Sequence, residues 1–243
     1  MNNPQYMSGT GNNFLVSEYE NSKTDIEIIS IVADSLFDID GVIFVEKINS
    51  LTVKMHYYNN DGSTAELCVN GIRCVAKYAL DNSIIDSNEV TVVAPIGNIK
   101  TNIKENTVSL EISTPSYEKN KLLIDGLECI KSNIGNPHLL VEVENVDKFD
   151  LEKFVQKVYE TNEFDNGVNV EIFNLFDKKI INARVYERGV GETDACGSGA
   201  ICMFYYLYNT NQVNNNSLIL YPGGELEMSI EKEIVKLSGE VTY

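Results

Sequence analysis

The 243-residue chain has no tryptophan, two histidines (His56 and His138) and only three arginines (Arg73, Arg184 and Arg188). Basic side chains number 19 against 36 acidic ones, for a net charge of −17. That deficit argues against nucleic acid and anionic membrane as partners, because a like-charged surface is repelled. No apolar run approaches the roughly 18 residues that cross a bilayer, and no basic-then-apolar leader is present, so a cytoplasmic protein is expected. Five cysteines at wide spacing do not make a disulfide scaffold. Two C-x5-C pairs, with no histidine close by in sequence, lack the usual spacing of a zinc site, so no metal is expected. What is plentiful is asparagine, 28 times. A single Asn at a chosen position therefore says little, whereas an Arg or a His says more.

The chain repeats itself. SGTGNNFLVSEYEN (8–21) and SNIGNPHLLVEVEN (132–145) agree at seven of fourteen positions, where unrelated segments agree at about one in fifteen. Cys68, Gly71, Cys74 and Tyr78 recur as Cys196, Gly199, Cys202 and Tyr206. Pro95, Gly97, Ile103, Val108 and Leu110 recur as Pro222, Gly224, Ile230, Val235 and Leu237. Order and offset are nearly constant, which defines two halves, 1–116 and 117–243, joined near STPSYEKNK.

Within each half the pattern is mostly strand: VTVVAPIG, TVSLEIS, SLILYPGG and ELEMSIE alternate and end in turn residues. One helix per half follows a cysteine. Ile72, Val75, Ala76, Ala79 and Leu80 keep helical spacing after Cys68, as do Ala200, Met203, Phe204, Leu207 and Tyr208 after Cys196. A further helix is predicted over LEKFVQKVYE, 151–160. Each half thus reads as a β-rich layer wrapped on a helix, an α+β arrangement.

A cysteine at a helix start lies beside unpaired N–H groups and the positive end of the helix dipole, both of which favour the thiolate. VNG follows Cys68 and GSG follows Cys196, turns whose amides can hold a carboxylate. Two such units allow inversion at an amino-acid α-carbon without a cofactor, one thiolate taking the α-proton and the opposing thiol giving one to the other face. Taken singly, a helix-starting Cys is more often a small buried hydrophobe; equivalent positions in both repeats favour chemistry. Cys74 and Cys202 read as core, and Cys129 as structural.

GTGNNF (9–14), ELCVNGIRC (66–74), GNPHLL (135–140), FDNGVNV (164–170) and ARVYERGVGETDACGSGA (183–200) resemble the diaminopimelate epimerase family. The resemblance implies two pseudo-symmetric halves, each a barrel-like sheet around a central helix, with the active site in the cleft between them. It implies Cys68 and Cys196 as the acid/base thiols, assisted by His138 near one sulfur and the Glu187 carboxylate near the other. The amides of Val69, Asn70, Gly197 and Ser198 would hold the α-carboxylate. Asn59, Asn136, Asn169 and Arg188 would hold a distal carboxylate, Asn12 would lie in the matching N-terminal loop, and Asn59 with carbonyls near Glu187 and Arg188 would meet the distal ammonium. The activity implied is interconversion of LL- and meso-diaminopimelate, in lysine and peptidoglycan precursor biosynthesis, with a small amino acid as the partner and a homodimer left open.

The chain departs from the family in two places. VADSLFDIDGVIF (32–44) keeps only Asp40 and Gly41 of a glycine-rich stretch ending in ADG, and CVNG stands where CGNG is usual, so Val69 adds a side chain beside the cradle. A second reading is therefore a racemase or epimerase of another amino acid with the same two-thiol chemistry. A third is a non-catalytic ligand-binding homologue.

Overall fold

The computed structural model describes residues 2–20, 23–64 and 68–243. Asn21, Glu66 and Leu67, which fall in the repeat and motif segments above, lie outside the described residues. The chain divides into two compact units, Met1–Ile112 with Ser238–Tyr243, and Ser113–Leu237.

In the first unit, β1 (Asn2–Gly9) and β2 (Asn12–Glu18) form an antiparallel hairpin. Its turn needs two left-handed residues, Thr10 (φ 51) and Gly11 (φ 85), the backbone of a tight hairpin turn. Helix α1 (Asp25–Ala33) starts in a capping box: the Thr24 hydroxyl accepts from the Glu27 N–H (3.3 Å), and the Glu27 carboxylate accepts from the Thr24 N–H (2.8 Å). Its Ile28 packs with Leu15, Ile39, Val42 and Phe44.

Strands β3 (Gly41–Lys47) and β4 (Thr52–Asn59) follow, then α2 (Val69–Asp81), β5 (Glu89–Ala94), β6 (Gly97–Lys104) and β7 (Thr107–Ser113). The sheet runs β1 to β7 in chain order, with β2–β3 and β4–β5 parallel. The end of the chain closes it. Thr242 and Val241 pair with Ser8 and Gly9 of β1, and the same strand pairs with β7, making an eight-stranded barrel. Helix α2 fills that barrel and packs on β1 through β6. Periodicity pointed to one apolar face; closure instead buries α2 all round from Val69 to Ala79, polar Asn70, Arg73 and Lys77 included.

The second unit repeats the plan. It contains β8 (Ser116–Tyr117), β9 (Leu122–Ile124), β10 (Leu127–Asn133), β11 (Pro137–Glu142), α3 (Leu151–Glu160), β12 (Asn169–Leu175), β13 (Ile180–Glu187) and β14 (Gly191–Thr193). Then come α4 (Gly197–Asn209), β15 (Asn216–Tyr221), β16 (Gly224–Glu231) and β17 (Ile234–Thr242), whose last residues are those that close the first barrel. The β11–β12 and β13–β15 pairs are parallel, matching β2–β3 and β4–β5. Asp150 caps α3 by accepting from the Lys153 N–H (3.1 Å), and Leu151, Phe154, Val155 and Val158 face the core. Helix α4 is buried from Gly197 to Phe204 and packs on β8, β11, β12 and β16. The bounds of β3, β4 and α2 recur 128 residues later as β12, β13 and α4, so the sequence repeat is a repeat of structure. Among the described residues no helix is long and apolar enough to cross a membrane.

Candidate active site

The two equivalent helices, α2 and α4, each start at a thiol. Cys68 is the N-cap of α2, extended at φ −130 and ψ 90, and its Sγ accepts from the Gly71 N–H at 3.3 Å. Cys196 is the N-cap of α4, extended at φ −129 and ψ 111, and its Sγ accepts from the Gly199 N–H at 3.4 Å. A thiol filling the usual Ser/Asp cap position leaves the other first-turn amides directed past the sulfur, and neither first turn carries an acidic residue that would compete for them.

Glycine three residues on is required for packing in both. A Cβ at Gly71 would meet Met55 Cε at 2.8 Å and Ile43 Cδ1 at 3.0 Å, and one at Gly199 would meet Glu171 Oε1 at 2.2 Å.

In the first unit the structure brings Cys68, Val69, Asn70 and Asn12 together. Asn70 Nδ2 donates to Asn12 Oδ1 (2.6 Å), and Asn12 Nδ2 donates to Asp40 Oδ2 (3.4 Å), which also accepts from the Asn13 N–H (2.7 Å). Asp40, one of two residues kept in the divergent 32–44 segment, thus braces the N-terminal loop. Val69 is buried, and its amide stands on the first turn. Asn59 is tied to its own turn, donating to Ser63 Oγ (2.9 Å).

Sequence reasoning assigned Arg73 no role. The structure buries it completely, with Nη1 donating to Asn70 Oδ1 (2.9 Å) and Nη2 to Thr10 Oγ1 (2.6 Å), and leaves its Nε without an acceptor. Desolvation draws the guanidinium down to about 10, while Cys74 and Cys68 pull the other way.

In the second unit His138, Glu171 and Cys196, all buried, offer donor atoms within 4.8 Å of one another. His138 Nδ1 and Glu171 Oε1 are 2.7 Å apart with neither side chain exposed. His138 Nε2 lies 3.1 Å from Asn136 Oδ1, and Asn136 Nδ2 reaches Ser198 Oγ at 3.4 Å. Because His138 and Glu171 are bonded to each other, the three donors read as a proton-handling cluster. Ser198 Oγ also lies 3.3 Å from Cys196 Sγ. Glu187 accepts from Thr193 Oγ1 (2.6 Å). Burial, then Glu187 and Glu171, hold the Cys196 thiol well above the usual range. Within this unit, then, His138 and Glu187 are both associated with Cys196.

Asn169 Oδ1 accepts from the Arg188 N–H (2.8 Å), and Arg188 Nη1 donates to the Asn166 carbonyl (3.2 Å). Gly167, at φ 73, passes directly beneath the Arg188 side chain: a Cβ there would meet Arg188 Cγ at 2.9 Å. Arg184 is engaged elsewhere, gripping Glu192 through Nε (2.6 Å) and Nη2 (2.9 Å). Glu171 carried no sequence signal, being one of many acids in an acidic chain. In the repeat it stands in β12 where β3 has Ile43.

The chain thus holds two repeated units, each with a helix wrapped by strands and begun by a thiol. A hydroxyproline epimerase from Agrobacterium vitis superposes with a TM-score of 0.78 over 98% of this chain and 89% of its own, at 13% identity. A phenazine biosynthesis protein from Bacillus anthracis does so at 0.72 over 98% and 95%, at 16% identity. At those identities the likeness is one of fold. The diaminopimelate epimerase family model matches residues 5–118 and again 130–243, once in each half. A diaminopimelate epimerase of Thermotoga maritima is 32% identical over 237 residues, covering 96% of both chains, and one of Methanococcus maripaludis is 31% identical, covering 90% of this chain and 88% of its own. The chain belongs to the diaminopimelate epimerase family and is an isomerase.

Proposed function

We propose that the protein interconverts LL- and meso-diaminopimelate, supplying a precursor for lysine and peptidoglycan, by moving a proton between Cys68 and Cys196 without a cofactor. The observation that carries this reading is the pair of thiols capping equivalent helices. Two-base inversion requires one sulfur as thiolate and the other as thiol at opposite faces of one carbon. The α-proton passes to the first sulfur, and the carbanion is held by the α-carboxylate resting on the first-turn amides at Val69, Asn70, Gly197 and Ser198. The second thiol then donates its proton to the other face. Matter and charge balance: one C–H bond breaks, one forms, and the two sulfurs exchange states.

Arg188, with Asn59, Asn136 and Asn169, serves the distal carboxylate. A planar guanidinium with amides suits a second carboxylate, which simple amino acids lack. The test is incubation of reduced protein with LL-diaminopimelate in deuterated water. Appearance of meso product with α-deuterium supports the reading, and absence of both overturns it. Val69 in place of the usual glycine favours a second reading, another amino acid as substrate; a panel of L-amino acids followed by chiral chromatography separates the two.

A further inference from the structure

The two helix starts match in backbone and differ in buried charge. Where α2 carries Arg73, the equivalent position of α4 is Ile201; where β12 carries Glu171, the equivalent position of β3 is Ile43. The second exchange occurs at the point of closest packing. Ile43 lies against Gly71, and Glu171 lies against Gly199. One unit therefore encloses a guanidinium that no carboxylate pairs among the described residues, and the other encloses a carboxylate.

Burying an ionisable group is costly, and Arg73 has no carboxylate partner among the described residues while Glu171 has His138, so this difference between otherwise repeated units calls for a functional return. Among the described residues Arg73 donates to neutral acceptors only, Asn70 and Thr10, and an anion at Cys74 or Cys68 eases its burial. The other ionisable groups along α2 are quiet. Burial pushes Cys74 up to about 12, Lys77 is paired with Asp81 (2.6 Å), and burial, then Glu18, pushes Tyr78 up to about 12. Strand β4 turns Met55 to the helix and, by alternation, His56 away from it, where it meets Glu46 at 2.7 Å. Cys196 faces the opposite field. Glu187 on β13 and Glu171 on β12 disfavour its anion, Tyr221 on β15 and Cys202 on α4 are buried and held protonated, and His138 on β11 is bonded to Glu171. Only the Ser198 hydroxyl and the Gly199 N–H oppose them.

We propose that Arg73 and Glu171 are positioning residues that polarise the pair at rest, Cys68 as thiolate and Cys196 as thiol. This rests on the two-thiol reading above. A substrate proton passes to Cys68 while the Cys196 proton passes to the opposite face. The exchanged state, Cys68 thiol and Cys196 thiolate, is disfavoured by Glu171 and Glu187 and, once product has left, relaxes by proton exchange with water, Cys68 losing a proton and Cys196 gaining one. Neither residue touches substrate; each acts through the charge it presents to a sulfur.

The experiment is the pH dependence of modification of the full-length reduced protein by methyl methanethiosulfonate, without substrate, with each cysteine read by peptide mass spectrometry. The Cys68 midpoint should lie below that of Cys196 by at least about one pH unit. Arg73→Met should raise the Cys68 midpoint by about one unit or more and leave Cys196 in place, and Arg73→Lys should restore it. Glu171→Gln, an isosteric change, should lower the Cys196 midpoint by about one unit and leave Cys68 in place. Midpoints in the reverse order, or unmoved by these changes, overturn the proposal. Should Arg73→Met fail to fold by circular dichroism, Glu171→Gln decides alone. Product formation from LL-diaminopimelate is scored separately. Turnover with unmoved midpoints sinks only the polarisation, and no turnover with shifted midpoints sinks only the reaction.

Discussion

His138 and Glu171 form a wholly buried pair, 2.7 Å apart, in which the second carboxylate oxygen of Glu171 has no hydrogen-bond partner. Removing the imidazole strands the charge. His138→Ala should cost about 3–5 kcal/mol in urea unfolding, the usual penalty for breaking a buried pair. His138→Asn, which keeps a donor near the Nδ1 position, should cost clearly less. An Ala variant within about 1 kcal/mol of wild type would show that the pair is solvated rather than buried.

The two cap glycines are equivalent in sequence but not in their neighbours. Gly199→Ala drives a Cβ to 2.2 Å from Glu171 Oε1 and 2.7 Å from its carboxyl carbon, against a side chain fixed by His138. Gly71→Ala meets first the end of Met55, at 2.8 Å, which can swing aside. Overpacking of a fixed core costs roughly 1–3 kcal/mol or more, so Gly199→Ala should sit at or above the top of that range and Gly71→Ala near its foot. Chemical unfolding of the two variants side by side checks the order, and equal losses would refute it.

How much of this was open to sequence reading follows from the kind of signal each feature leaves. The α3 expectation of 151–160 matches Leu151–Glu160 because Asp150 caps it and its apolar residues keep one face. The barrel helices were found because Cys68 and Cys196 head matching repeats. Helix α1 was missed, although Thr24 and Glu27 spell a capping box, because its isoleucines at 26, 28, 29 and 31 do not keep to one stripe. Arg73 stood out as rare, but its burial depends on the barrel closing around α2 with a strand from the far end of the chain. Glu171 was illegible: a strand acid signals neither burial nor partner. Asn59, Asn136 and Asn169 could not be distinguished from a background of 28 asparagines, and the structure separates them by what they bond.

Buried thiols make folding sensitive to alkali. Burial raises Cys129 to about 11 and Cys74 to about 12, and lifts Cys196 and Cys202 as well. Unfolded thiols release protons from about pH 8.5. Above that value the folded chain binds more protons than the unfolded one, so stability falls as pH rises. The contribution is complete below pH 8.5 and lost progressively above it. The urea midpoint should therefore hold from pH 7 to 8 and drop between pH 9 and 10.5, and Cys74→Ala should flatten that drop. A midpoint constant across the range would mean that the thiols titrate alike in the folded and unfolded chain.

Arg188 is held in place by its neighbours. Its backbone N–H is fixed by Asn169 and its stem lies over Gly167, so the guanidinium is aimed by elements of β12 and the preceding loop. Under the proposed reaction it meets the distal carboxylate, a charge-assisted contact worth about 1.5–3 kcal/mol. Arg188→Ala should then lower kcat/KM for LL-diaminopimelate by roughly 10- to 150-fold, mostly through KM, since a remote contact is made alike in ground and transition states. Arg188→Lys keeps the charge but loses the planar fork and should fall between. Stability should move by less than about 1 kcal/mol, as for other exposed positions. Gly167→Ala should mimic the loss by displacing the arginine stem, even though the arginine itself is intact. Unchanged kcat/KM in Arg188→Ala would remove the distal carboxylate from this residue and, with it, the reason to favour a dicarboxylate over a simpler amino acid.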